Sequence, residues 1–132
     1  MVYEFDITVL TTNTIDNPKV EDLKLTAGIV HRYEIFFPPG CANLVKVGIN
    51  RGLHQVWPTN PDGRHKGEGV TLSYREHYDL TKAPHILTIR AYSVGAAYDH
   101  TIIVRFAILT SKILAPWLLT WAEKLGLYGG GG

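Results

Sequence analysis

The side chains in this sequence most able to do chemistry are its six histidines, His31, His54, His65, His77, His85 and His100. Neutral imidazole is a common metal ligand, but a site needs several ligands brought together. No two of these histidines stand two or four residues apart. The ordinary reading is half-buried or surface histidine, and no metal or other cofactor is expected. Cys41 is the sole cysteine. It makes no internal disulfide, and no flanking motif marks it as a nucleophile partnered by a distant histidine. Following Pro38-Pro39-Gly40, it reads as a small buried residue at a strand start. Ser73, Ser93 and Ser111 lie in no G-x-S-x-G context. Gly67-Glu68-Gly69 lacks phosphate-loop spacing. Asp62 and Glu68 share one loop and have the chemistry for calcium, although a solvated turn is the plainer reading. With no catalytic constellation, the sequence predicts a protein that is not an enzyme.

A second group of residues suits binding. Trp57, Arg64, His65 and Tyr74 lie in or beside the irregular stretch 58–69. Exposed aromatic rings beside polar groups are a means of gripping sugars, so a carbohydrate-binding module is the alternative reading. The competing view is that Trp57 packs into the core at a strand end.

The elements that would carry these residues are strands. Tyr3, Phe5, Ile7 and Val9 alternate with Glu4, Asp6 and Thr8, the period of a half-buried strand. The same pattern predicts strands over 20–25, 29–37, 44–50, 53–57, a sixth marked by Val70, Leu72 and Tyr74, then 86–94 and 101–109. In the third, Ile29, His31, Tyr33, Ile35 and Phe37 fall on one face; in the fourth, Val45, Val47 and Ile49 point inward. Asn60-Pro61-Asp62-Gly63 reads as a turn in which proline presets φ and glycine takes a left-handed position. Eight antiparallel strands predict an all-β sandwich of two sheets. A jelly roll is the first expectation and an immunoglobulin-like sandwich the second. Cupins share the jelly-roll architecture, but their closely spaced histidines with a glutamate are absent here.

The chain has 132 residues, enough for one domain that buries about 65–70% of its unfolded surface. Apolar residues make up 45% and charged residues 19%, which excludes a disordered chain. A formal net charge of +1 leaves no electrostatic footprint for nucleic acid. No run of about 18 apolar residues marks a transmembrane helix, and the opening Met1-Val2-Tyr3-Glu4 shows no signal-peptide pattern. Synthesis in a cytoplasm is expected.

After residue 110 the pattern changes. Leu114, Trp117, Leu118, Trp121 and Leu125 recur at helical steps, Pro116 suits a first turn, and Gly126 suits the position past a helix end. The expected organisation is a β-sandwich over 1–110, an apolar helix over 111–128 and a flexible glycine tail over 129–132. The helix face must be buried on its own sandwich, a neighbouring copy or a partner. The first strand can likewise pair at home or complete a neighbour's edge. Val2, Tyr3, Phe5, Trp117, Leu118, Trp121 and Leu125 are therefore the expected assembly interface.

Three stretches, Phe36-Phe37-Pro38-Pro39-Gly40-Cys41-Ala42, Gln55 to Gly63 and Tyr98-Asp99-His100-Thr101, resemble small β-sandwich proteins encoded among the structural genes of phages and related viruses. The resemblance covers about residues 20–109 and carries no functional residue. It implies a virion component, such as a minor capsid or capsid-decorating protein. The combined expectation is a non-enzymatic structural protein. Its partners would be itself, as a homo-oligomer such as a trimer, and other capsid proteins, with a glycan in the alternative reading.

Overall fold

The computed structural model describes residues 1–110. The expected C-terminal helix and glycine tail, with Trp117, Leu118, Trp121 and Leu125, lie outside the described residues. The eight strands are β1 (Val2–Val9), β2 (Lys19–Lys24), β3 (Gly28–Phe37), β4 (Val45–Arg51), β5 (His54–Trp57), β6 (Val70–Asp79), β7 (Ile86–Ser93) and β8 (His100–Thr110). They form two four-stranded sheets, one ordered β1-β8-β3-β6 and the other β2-β7-β4-β5. This is the strand order of a jelly roll, so the fold is the first of the two expected from the sequence.

The order follows from nested pairing. β1 pairs with β8, β2 with β7, β3 with β6 and β4 with β5, all antiparallel. The chain is in effect one long two-stranded ribbon, closed at the two-residue loop Gly52-Leu53 between the partners Arg51 and His54. Gly52 has a φ of 61°, the positive value that the first central residue of a type II′ hairpin turn requires. The ribbon then folds over so that β8 also meets β3 and β7 also meets β4.

Alternation along the strands builds the core. Val45, Val47 and Ile49 of β4, Leu87, Ile89 and Ala91 of β7, and Ile102, Val104, Phe106 and Ile108 of β8 are all fully buried. Ile7 and Val9 of β1, and Ile35 and Phe37 of β3, complete the layer. Each large aliphatic or aromatic side chain removed from water contributes roughly 1.5–3 kcal/mol.

β3 departs from the expected alternation. Val30 is buried, while Ile29 and His31 are only half-buried. A bulge lies between Val30 and Arg32: Val30 faces Ile108 of β8 while Arg32 faces the next residue, Ala107. The extra residue shifts the side-chain phase, so His31 and Ile29 leave the face on which Tyr33, Ile35 and Phe37 lie. The 60–63 turn also differs in detail. Asn60 accepts the Gly63 N–H at 2.9 Å as expected, but Gly63 does not hold a positive φ. Proline second and glycine last is the signature of a type I turn.

Candidate functional site

The bulge opens a depression of about 680 Å³ on the outer face of the β1-β8-β3-β6 sheet. One register row crosses all four strands there: Val2 of β1, Ala107 of β8, Arg32 of β3 and Arg75 of β6. The small Ala107 side chain leaves room in the middle of the row. The adjacent row runs Glu4, Arg105, Glu34, Ser73. His31 and Glu76, both at the bulge, line the remaining wall.

The electrostatics of the two rows differ. Arg105 stands between two carboxylates and donates from Nε to Glu4 Oε1 at 2.7 Å. This is an exposed pair, so its net contribution is about 0–1 kcal/mol. Arg32 and Arg75 stand directly opposite each other across β3 and β6. Like charges in that position destabilise a sheet. Among the described residues no carboxylate oxygen lies within 4.0 Å of either guanidinium. Glu34 and Glu76 line the same depression without pairing to either arginine. The result is an open basin lined by two arginines from opposed register positions and by two glutamates that pair with neither of them.

A second cluster lies where loop 58–69 returns to the sandwich. His65 forms a two-way backbone bridge with Val47, at 2.9 and 2.7 Å. Its Nε2 lies 2.9 Å from the Tyr33 hydroxyl. Its ring stacks on Tyr74, with centroids 5.1 Å apart. Tyr33 in turn stacks on Trp57, with centroids 4.4 Å apart. Burial holds the His65 imidazole below the ordinary histidine range. Burial, helped by the neighbouring Tyr74 and Glu76, pushes the Tyr33 phenol well above the usual tyrosine value. Both groups are therefore neutral near pH 7.

The structure thus brings Trp57, His65 and Tyr74 together, but not as a sugar platform. Trp57 is 3% exposed, covered by Tyr33, Tyr78 and Phe106. β5 has only four residues, and its final residue turns inward over Tyr33. Of the three, Tyr74 is the most exposed, at 39%, and its ring is stacked on His65. Arg64 is committed to its own loop, donating to the carbonyl of Pro61 at 2.9 Å. The carbohydrate-binding alternative is corrected on this ground.

Glu68 is not free for calcium. Its carboxylate accepts the N–H of Ala42 at 2.7 Å and of Gly40 at 2.9 Å. Those donors hold it below the usual carboxylate range. They also fix a turn with three residues at positive φ, Gly40, Ala42 and Asn43. Cys41, inside that turn, is fully buried. Burial and then the Glu68 charge push its thiol up, the reverse of an activated nucleophile. Among the described residues no three His, Cys, Asp or Glu side chains gather as a metal would need. Of the expected assembly residues, Val2, Tyr3 and Phe5 sit on β1, which pairs along its whole length with β8 of its own chain. Tyr3 stacks beside Phe5, and Val2 is exposed.

Arg32, Arg75 and Arg105 carried no signal in the sequence. Each is one charged residue on the outer side of a strand, and only the register places two of them opposite each other.

No protein-family model matches this sequence, and no curated protein matches it. Similar solved structures include hydroxypropylphosphonic acid epoxidase from S. wedmorenis in complex with fosfomycin, at 11% identity and TM-score 0.42, covering 80% of this chain and 43% of that one. They also include Fe(II) HppE, at 10% identity and TM-score 0.43, with the same coverages. The chain spans less than half the length of these matched enzyme chains. Both of these structures are of an epoxidase and neither is a virion component. The expectation of a non-enzymatic viral capsid or decoration protein gains no support from them, and is corrected and carried no further. At this identity and TM-score the likeness extends to no activity, substrate or metal of this chain.

Proposed function

We propose that this chain is a ligand-binding jelly-roll domain that receives an anionic group in the depression on the β1-β8-β3-β6 face. The observation that supports this is the opposed pair Arg32 and Arg75, with no carboxylate within 4.0 Å of either among the described residues. A guanidinium presents donors in a planar fork that matches the paired oxygens of a carboxylate or phosphate. Two forks side by side cost stability when empty and are satisfied by one bridging anion. Arg105, neutralised by Glu4, closes one side of the basin. Glu34 and Glu76, in the same lining, repel a second negative charge and so limit the basin to one anionic group at the arginine pair.

The test is titration of the 15N-labelled full chain with inorganic phosphate at constant ionic strength. Saturable shifts of the Arg32 and Arg75 side-chain signals are expected, with Kd about 1 mM, equivalent to about 4 kcal/mol. Arg75→Gln should weaken binding at least tenfold. An Arg75→Gln protein that binds phosphate as the wild type does would remove the basis of the proposal.

A further inference from the structure

We infer that the ligand is an extended acidic peptide segment that adds as a fifth strand to the free edge of β6, setting an acidic side chain beside Arg75 on the outer face, with Arg32 one strand further in. This rests on the anion site proposed above and names what occupies it.

β6 ends its sheet, paired only with β3. Residues 70–75 run in unbroken register with β3, from Phe37 to Arg32. Among the described residues nothing but β3 bonds the backbone of residues 70–78; the nearest bond at that edge is Arg51 Nη1 to the Asp79 carbonyl, at 3.2 Å. Such an edge is a template for another strand, and proteins usually blunt it with Pro or Lys. Residues 70–75, Val-Thr-Leu-Ser-Tyr-Arg, contain neither. The other edges are less suited. β5 has four residues. β2 follows Pro18 and has Lys19 and Lys24 at its ends. β1 carries Glu4 and Asp6 on its outer face and repels an acidic partner.

The two faces of β6 specify the side chains of the added strand. Arg75, Ser73 and Thr71 share the outer face with Arg32. Val70, Leu72 and Tyr74 share the inner face, yet Val70 and Tyr74 each remain 39% exposed. An added strand with acidic residues at alternate positions meets Arg75 on one side, with Arg32 behind it in the same row. Its intervening apolar residues cover Val70 and Tyr74 on the other. Main-chain bonds supply affinity and the two faces supply selectivity.

The experiment uses the full chain with a capped octapeptide alternating valine and aspartate, and its valine-lysine counterpart as control. Amide exchange and 15N shifts are read with and without peptide. The expected result is binding of the aspartate peptide alone, at least tenfold slower exchange of alternate amides in 70–75, and at least tenfold weaker binding by Arg75→Gln. Phosphate binding without peptide binding overturns the inference and leaves the anion site standing. So does peptide binding that shifts the arginines without protecting 70–75. Failure of both phosphate and peptide overturns both. Mass that rises with protein concentration without peptide, and falls in Asp6→Lys, assigns the edge to β1 of a second copy and overturns the peptide as occupant.

Discussion

Replacing Arg75 by glutamine should stabilise the empty protein, although it removes a residue argued to bind ligand. Arg75 faces Arg32 across the β6–β3 pair. Directly opposed residues have Cβ atoms about 4.5–5.5 Å apart, and like charges there cost up to about 1 kcal/mol. The guanidinium ends can splay outward. At about 6 Å in a water-like dielectric their repulsion is about 0.7 kcal/mol. Glu34 and Glu76 return part of this by attraction from a greater distance, leaving a net gain on the order of 0.5 kcal/mol for Arg75→Gln at low salt. For a domain of this size that is a rise of about 2 °C in Tm. In 1 M NaCl, where the Debye length is about 3 Å, the two proteins should melt together. With phosphate at ten times its Kd the wild type gains about 1.4 kcal/mol and the order reverses. Thermal melts by circular dichroism under the three conditions test the whole chain of reasoning. If Arg75→Gln melts below the wild type at low salt without phosphate, the glutamates already satisfy the arginines. No unmet demand for an anion then exists.

Other perturbations probe the framework around the site. Tyr33→Phe removes the hydroxyl 2.9 Å from His65 Nε2 and should cost about 1–2 kcal/mol in urea unfolding, since a half-buried nitrogen loses its partner. His65 titrates lower folded than unfolded, so its contribution is complete above the unfolded value of about 6.5 and is lost as pH falls through the lowered folded value. Urea midpoints at pH 7.5 and 5.5 should therefore diverge less in His65→Gln than in the wild type. Glu68→Ala should speed exchange of the Gly40 and Ala42 amides, and the wild type should show the same loosening as pH falls through the depressed Glu68 value. Gly28→Ala places a Cβ 2.7 Å from Ile108 Cγ2 and against the Leu109 backbone, which should lower stability by about 1–3 kcal/mol.

Strand by strand, the sequence was legible where one face is dry and the other wet. Val45, Val47 and Ile49, expected to point inward, are all fully buried, and the eight strands lie close to their expected positions. Legibility fails where partners distant in sequence decide the outcome. The β3 bulge exists because β8 and β6 pair with β3 on either side of it, and nothing local in Ile29 to Arg32 announces the phase change. Arg32 and Arg75 become a pair only through that register. Trp57 beside a polar loop carries the composition of a binding surface; its burial follows from a short strand ending above Tyr33. The choice between jelly roll and immunoglobulin-like order is likewise a matter of which distant strands meet.

The nested ribbon has a kinetic consequence. Closing β4 on β5 spans only the loop Gly52-Leu53, whereas bringing β1 to β8 spans nearly all of the described chain. Loop-closure entropy rises with the length closed, and each inner pair shortens the free loop that the next must close. Folding is therefore expected to zip outward from Gly52, with β1 arriving last and leaving first. Ile→Val at a fully buried site costs about 0.5–1.5 kcal/mol, enough to read in stopped-flow rates. At Ile49, in the inner pair, the cost should appear as slower folding; at Ile7, in the outer pair, as faster unfolding. A protein zipped in this order owes its lifetime against unfolding to the pairing of its first strand.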